Sequence, residues 1–347
     1  MTADKNNPKN QDIQAQYRKD SHLDLAKTDA ALAHITHPLD SVILPHYALP
    51  QLHLDEIDIR TYFCGKLVQA PFYIGAMTGG TDRADKINLA LAKSAQESGI
   101  GFAIGSQRAS LAAGRDMKHI RQIAPDIPII GNLGITQLAR PDGIDMAKRA
   151  IESLDADAMA IHLNPLQEAA QLEGDRDWRG TFEALQRFIT DIDISVIVKE
   201  VGAGIHPKLA KELHALGAAY IDIAALGGTN WTRIETLRRA DDDRALFAPF
   251  LDWGIDLVSS LKGCRKSLPD ARLIASGGIR HGLDVAKTLY LGADMSCAAG
   301  PFLRAIEADD GSLNEENLIQ LIEIWKSQIQ LACFLTNSQN LQELRKI

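Results

Sequence analysis

What this sequence lacks narrows what it can be. Its four cysteines, Cys64, Cys264, Cys297 and Cys333, stand far apart with no CxxC pair, which removes zinc knuckles and disulfide frameworks and fits a reducing cytoplasm. No apolar run approaches the length of a membrane span. The opening MTADKNNPKNQDIQA is too polar for a secretory signal, so residues 1–15 are expected to be a loose extension. Dense Lys/Arg stretches are absent too: 37 basic residues face 45 acidic ones, a net charge of −8, which argues against nucleic acid or an anionic membrane as the main partner. An anionic small molecule stays open, because a few arginines, lysines or helix N-termini suffice to hold one. Nor does any linker rich in Pro, Gly or Ser interrupt the chain, so residues 16–347 are expected to form one domain.

What is present is a repeated theme from about residue 70 onward: a short apolar run ending in glycine or polar residues, then a stretch of helical periodicity. The runs are FYIGAMTGG (72–80), GFAIGSQR (101–108), IPIIGNLG (127–134), AMAIHLNP (158–165), SVIVKEVG (195–202), AYIDIAALGG (219–228), ARLIASGG (271–278) and ADMSCAAGP (293–301). Eight strands with intervening helices such as DRADKINLALAKSAQESG and HPKLAKELHALG predict an α/β fold, a (β/α)8 TIM barrel. Continuously apolar strands are what a sheet buried on both faces requires, and a doubly wound open sheet is the alternative. Before residue 70, HLDEIDIRTYFCGKLVQAP reads as a hairpin covering the barrel's bottom. DDDRALFAPFLDWG, from about 240, reads as a long βα connection, and NEENLIQLIEIWKSQIQLACFL as a closing helix.

In such a barrel the chemistry sits at the C-terminal strand ends, so those residues can be read as candidates. They are Ala76, Met77 and Thr78; Ser106, Gln107 and Arg108; Asn132; His162, Asn164, Gln167 and Glu168; Lys199 and Glu200; Thr229 and Asn230. The last two runs end in SGGIR (276–280) and AAGP (298–301), glycines that let backbone N–H groups approach a phosphate, at the loops where barrels usually bind one. Each residue alone has a plainer reading, Lys199 as a solvated strand end and Glu168 as a carboxylate at a helix start. All eight ends being polar or glycine-rich in one direction favours a phosphorylated cofactor. The histidines His22, His34, His37, His46 and His53 crowd the N-terminal region without metal-ligand spacing and are expected to be structural or at the surface.

Taken in order, RKDSH (18–22), AMTGG (76–80), GSQR (105–108), GN (131–132), HLNPLQE (162–168), KEVG (199–202), GGTNW (227–231) and SGGIR (276–280) resemble type 2 isopentenyl-diphosphate Δ-isomerase, the FMN-dependent family. The resemblance covers nearly everything beyond residue 15, and HLNPLQE with GSQR carries most of its specificity. It implies interconversion of isopentenyl and dimethylallyl diphosphate with reduced FMN and Mg²⁺, NADPH as the reductant, and a homotetramer or homo-octamer.

FMN would be contacted by Ala76, Met77, Thr78, Ser106, Asn132, Lys199 and Thr229, and its phosphate by Gly278, Ile279, Arg280, Ala299 and Gly300. The substrate would meet Arg18, Lys19, Ser106, Gln107, Arg108, His162, Asn164 and Gln167. Glu168 would be the Mg²⁺ ligand, while Gln167, Glu235 and His22 would assist a flavin that moves the protons. The rival reading is an FMN-dependent 2-hydroxy-acid oxidase or dehydrogenase, for which Arg280 and His281 would have to serve as carboxylate binder and base.

Overall fold

The eight apolar runs pair in chain order into a closed barrel. A computed structural model describes residues 19–77 and 79–346. The barrel strands are β3 (Phe72–Ile74), β4 (Gly101–Ala103), β5 (Ile129–Gly134), β6 (Ala158–His162), β7 (Ser195–Lys199), β8 (Tyr220–Asp222), β9 (Leu273–Ser276) and β10 (Met295–Ala298), preceded by β1 (Thr61–Phe63) and β2 (Lys66–Val68). Every neighbouring barrel pair is parallel, and β10 bonds back to β3 as well as to β9, which rules out the open sheet. Both faces are dry. Phe72, Ile74, Phe102, Ile161 and Val198 pack outward against the helices, whereas Tyr73, Ile130, Ala160, Ile197, Ile274 and Met295 fill the barrel.

The bottom is closed as the hairpin pattern predicts. β1 and β2 are joined by Cys64 and Gly65 at φ 47° and 82°, the doubly left-handed turn whose twist matches a tight hairpin. The turn carries Phe63 into the barrel, its ring stacked 5.0 Å from Tyr73 and edge-on 5.2 Å from Tyr220. Two arginines brace the same end in matching fashion. Arg121 donates to the carbonyls of Ala124, Pro125 and Ile127 and to Asp157, whose carboxylate also accepts from Ile129 N. Arg265 repeats this with Leu268, Pro269, Ala271 and Asp294, which accepts from Leu273 N.

Helix Asp82–Ser98 starts on the Thr81 hydroxyl, which accepts from Ala84 N at 3.1 Å, and stops at Gly99 in the left-handed region. The closing helix Glu315–Leu335 buries Trp325 against Phe302 and Phe72, sealing the β10–β3 seam. At the top, the connection after β8 is helical (Trp231–Leu237, Asp241–Phe247) rather than a plain loop. The segment before β1 lies over the mouth: Leu32 bridges Thr229, Ala33 N donates to Gly228 O, and His34 N to Asp252. Residues 1–18, which include the expected extension, lie outside the described residues. Among the described residues no helix is long and apolar enough to cross a membrane.

Candidate active site

A cavity of about 390 Å³ opens at the C-terminal ends of the barrel strands, within the size range of small-molecule sites. Ala76, Met77, Ser106, Arg108, Asn132, His162, Asn164, Gln167, Glu168, Lys199, Thr229, Gly278, Ile279, Arg280, Ala299 and Gly300 line it, joined by Lys19 and His22 from helical residues 19–26. Arg18 and Thr78 lie outside the described residues. Two of the expected residues stand back from the space. Glu235 sits behind Gln167, whose amide donates to it at 3.5 Å. Gln107 is turned into the wall: its amide donates to Ala150 O and accepts from Asn132 N, so the side chain ties β5 to the helix Gly143–Leu154 and does not face the cavity.

The positive charge that an acidic chain needs in order to hold an anion is concentrated here. Burial, reinforced by Lys199, Lys19 and Arg108, pulls the His162 imidazole down to about 3, so it is neutral at any working pH. Its Nδ1 lies 2.8 Å from Asn132 Oδ1, an acceptor, which fixes the proton on Nδ1 and leaves Nε2 as an acceptor. Lys199 Nζ donates to Glu200 O at 2.6 Å at the floor of the cavity. Glu200 itself turns away and accepts from the backbone N–H groups of Val201, Gly202 and Ala203 through one oxygen; burial pushes it up to about 7 against those three bonds. Its role is to hold the loop that presents Lys199. Beneath lies Asp222, fully buried and bonded by Ser276 Oγ at 2.5 Å and Tyr73 OH at 3.3 Å.

Gln167 and Glu168 occupy one turn of the helix Pro165–Ala170, whose proline at the first position suits the start of a helix. Glu168 accepts from Asn164 Nδ2 at 3.1 Å and from Asp175 N at 2.8 Å. Asn164 Oδ1 beside it is buried without a hydrogen-bond partner among the described residues. A carboxylate next to an orphaned amide oxygen fits a hard cation that completes its shell from a ligand's phosphate oxygens. Among the described residues no group of three or more His, Cys, Asp or Glu side chains forms a self-sufficient metal site.

Behind Gln167 is a charged cluster. His22 Nε2 lies 2.9 Å from Glu235 Oε1, and Arg238 is 2.5 Å from Oε2. Burial pushes Glu235 up, but His22 and Arg238 outweigh it and hold the carboxyl below its usual range. His22, although paired, is pulled down by burial. The two directions agree on one state at neutral pH, a neutral imidazole beside an anionic glutamate.

At the opposite end the glycine pairs of two loops interlock: a Cβ on Gly228 would lie 2.5 Å from Gly278 N, and one on Gly278 2.3 Å from Gly227 O. The N–H groups of Gly278, Ile279 and Gly300 donate to no other protein group among the described residues, which fits a phosphate laid against them. The Arg280 guanidinium, by contrast, is consumed. It donates to both oxygens of buried Asp284 and to Asp40, and its backbone N–H also donates to Asp284. His281 caps the helix Gly282–Tyr290, its Nδ1 accepting from Asp284 N, and does not line the cavity, so the base of the oxidase reading is not at the site.

Sequence reasoning missed Leu32, Ala33, Ile35 and His37, which the overlying arm adds to the cavity, together with Gln137, Trp231 and Arg304. His37 Nε2 lies 2.6 Å from Gly278 O, a contact across 241 residues that no local pattern announces.

Residues 126–347 match the FMN-dependent dehydrogenase family. Over 334 residues the chain is 42% identical to the isopentenyl-diphosphate delta-isomerase of Stutzerimonas stutzeri (strain A1501), covering 95% of each. It belongs to that isomerase family. The isomerase of Pyrococcus abyssi is 40% identical over 95% of this chain and 90% of its own. Among solved structures, mandelate oxidase with (S)-2-phenylpropionate superimposes with a TM-score of 0.64 over 96% of both chains at 15% identity, and the same oxidase with benzoyl-formic acid gives 0.62 at 16% over 95% and 91%. Those likenesses concern the fold. The isomerase family and the oxidases share the flavin-type barrel, and the sequence relatives carry the isomerase name.

Proposed function

We propose that this protein interconverts isopentenyl and dimethylallyl diphosphate in the cytoplasm, as a homo-oligomer of one-domain chains, with FMN kept reduced by NADPH and with Mg²⁺. The observation that carries the reading is the set Lys19, Arg108 and Lys199 around neutral His162, with Gln167 and Glu168 on the adjoining turn. FMN, when bound and reduced, supplies an acid/base at its N5 edge for moving protons between neighbouring carbons. Lys199 would stabilise negative charge on the flavin's N1/O2 edge, since a fixed cation in a dry site costs no reorganisation.

Lys19, Arg18 and Arg108 would take the diphosphate, guanidinium forks matching phosphate oxygens two at a time. Among the described residues Arg108 has no hydrogen-bond or ion-pair partner to give up. Glu168 and Asn164 Oδ1 would hold Mg²⁺ shared with the same diphosphate. Gln167, steered by Glu235, would sit beside the reacting carbons, and Glu235 stays anionic through His22 and Arg238. The arm over the mouth, with Leu32 and Ile35 in the lining, excludes water from a step that passes through a carbocation-like state.

The test is conversion of labelled isopentenyl diphosphate by the purified protein with flavin reduced anaerobically, with Mg²⁺ present or chelated. Conversion that disappears on flavin oxidation and on chelation is expected. No conversion, with a 2-hydroxy acid able to reduce the bound flavin, would overturn it.

A further inference from the structure

The cradle formed by Gly278, Ile279 and Gly300 raises a problem of charge. A phosphate monoester brought there carries close to two negative charges, and the arginine nearest in sequence, Arg280, already has its guanidinium divided between Asp284 and Asp40. The cations at the far end of the helix Gly300–Ile306 are equally committed. Lys27 and Arg83 both bond Glu307, and Arg83 also bonds Asp24. One cation near the cradle is not engaged: among the described residues, Arg304 forms no hydrogen bond or ion pair, yet it lines the cavity.

Its position follows from the local sequence. Arg304 stands four residues after Gly300 on the helix Gly300–Ile306, and side chains of a helix lean toward its N-terminus, so a long one at this position covers the preceding turn. Gly300 leaves that turn bare. A Cβ there would meet Arg304 Nη1 at 3.2 Å and Nη2 at 3.7 Å, with Thr229 Oγ1 also at 3.7 Å. The guanidinium thus folds back from the exposed face of its helix onto the cradle, its two terminal nitrogens side by side with the threonine hydroxyl.

We propose that Arg304 is the cation that neutralises the flavin's phosphate, and that it sets the preference of this cavity for FMN over riboflavin. The inference rests on the FMN reading of the cavity and assigns to Arg304 the role that sequence position suggested for Arg280. Gly300 contributes by leaving the path to the phosphate open, and Thr229 by donating its hydroxyl beside the guanidinium.

The full chain, stripped of flavin, is titrated with FMN and separately with riboflavin, following quenching of flavin fluorescence. The unsubstituted protein should bind FMN more tightly. Arg304→Gln should weaken FMN about ten- to hundredfold, the range of a hydrogen bond to a charged group, and leave riboflavin within about twofold. Arg304→Lys should keep part of the preference, because charge survives and the fork does not. Since Arg304 is exposed and, among the described residues, bonded to no protein group, the melting temperature should not move. FMN affinity of Arg304→Gln within twofold of the unsubstituted protein overturns the proposal, and so does an equal loss for both flavins. An unsubstituted protein that binds riboflavin as tightly as FMN overturns instead the phosphate reading of the cradle.

Discussion

Replacing Glu235 with glutamine tests the charged cluster behind the cavity, because the change keeps shape and removes one charge. The carboxylate side chain is 1% exposed and is held by His22 at 2.9 Å and Arg238 at 2.5 Å. Removing one member of a buried pair costs about 3–5 kcal/mol. Here Arg238 is 16% exposed and can turn toward water, which brings the expectation down to about 2–3 kcal/mol. Unfolding entropy grows with length at about 2.1 cal/mol/K per residue, so for this chain 1 kcal/mol corresponds to about 1.4 °C and the expected drop at pH 7 is about 3–4 °C.

The same variant has a definite pH signature. Glu235 in the folded protein titrates below its ordinary value, so its contribution is fully present above the unfolded carboxylate pKa, about 4.3, and is lost as pH falls through the folded value. Melting curves of the two proteins should therefore run parallel from pH 8 to about pH 5.5 and converge below about pH 4.5. A gap as wide at pH 4 as at pH 7 would refute the assignment of an anionic Glu235, since the cost would then be one of packing. Turnover supplies the second arm: with Gln167 no longer oriented by a carboxylate, kcat should fall by about a hundredfold while KM stays within threefold, the split of a group acting in the transition state.

Glu168→Gln should raise the Mg²⁺ concentration for half-maximal turnover at least tenfold without altering flavin content, read by magnesium titration against flavin absorbance. Lys199→Met should make bound flavin harder to reduce and reduced FMN quicker to dissociate, read by potentiometric titration; an unchanged potential would remove the lysine from the flavin edge. Arg280→Met should act on stability, because Asp284 is fully buried and would lose the bidentate partner that holds it: a loss of about 3 kcal/mol, or about 4 °C in a melting scan, is expected.

The barrel was legible because its strands are buried on both faces and so read as unbroken apolar runs, each closed by a turn signal; all eight fall inside the runs that the sequence marks. The candidate residues were legible for a related reason. A parallel barrel sends every strand's C-terminal end to one mouth, so position in the run alone decides that Asn132, His162 and Lys199 face a common space. Gln107 shows the limit. It sits among residues that do face the cavity, between Ser106 and Arg108, and only the backbone direction after β4 turns its amide toward Ala150. Arg280 shows another, since the partner that helps to commit it, Asp40, lies 240 residues away.

That second limit has a chemical consequence. In an acidic chain of 37 basic residues, the number of cations at a strand end says little about charge available to a ligand, because each one's partners come from elsewhere in the sequence. What distinguishes this mouth is which cations remain after the protein's own carboxylates have been served. Among the described residues Arg108, after β4, and Arg304, after β10, stay unpaired, and neutral His162 and the amides of Asn164 and Gln167 line the same cavity. Two unspent cations suit two phosphorylated molecules. The uncharged His162, Asn164 and Gln167, beside Lys199, suit contact between an apolar tail and a flavin ring. An oxidase working in the same barrel needs a free base there to take a hydroxyl proton, and His281, the histidine that reading calls on, caps a helix through Nδ1 and does not line the cavity. Isomerisation with no net oxidation is the chemistry that this distribution of spent and unspent groups leaves open.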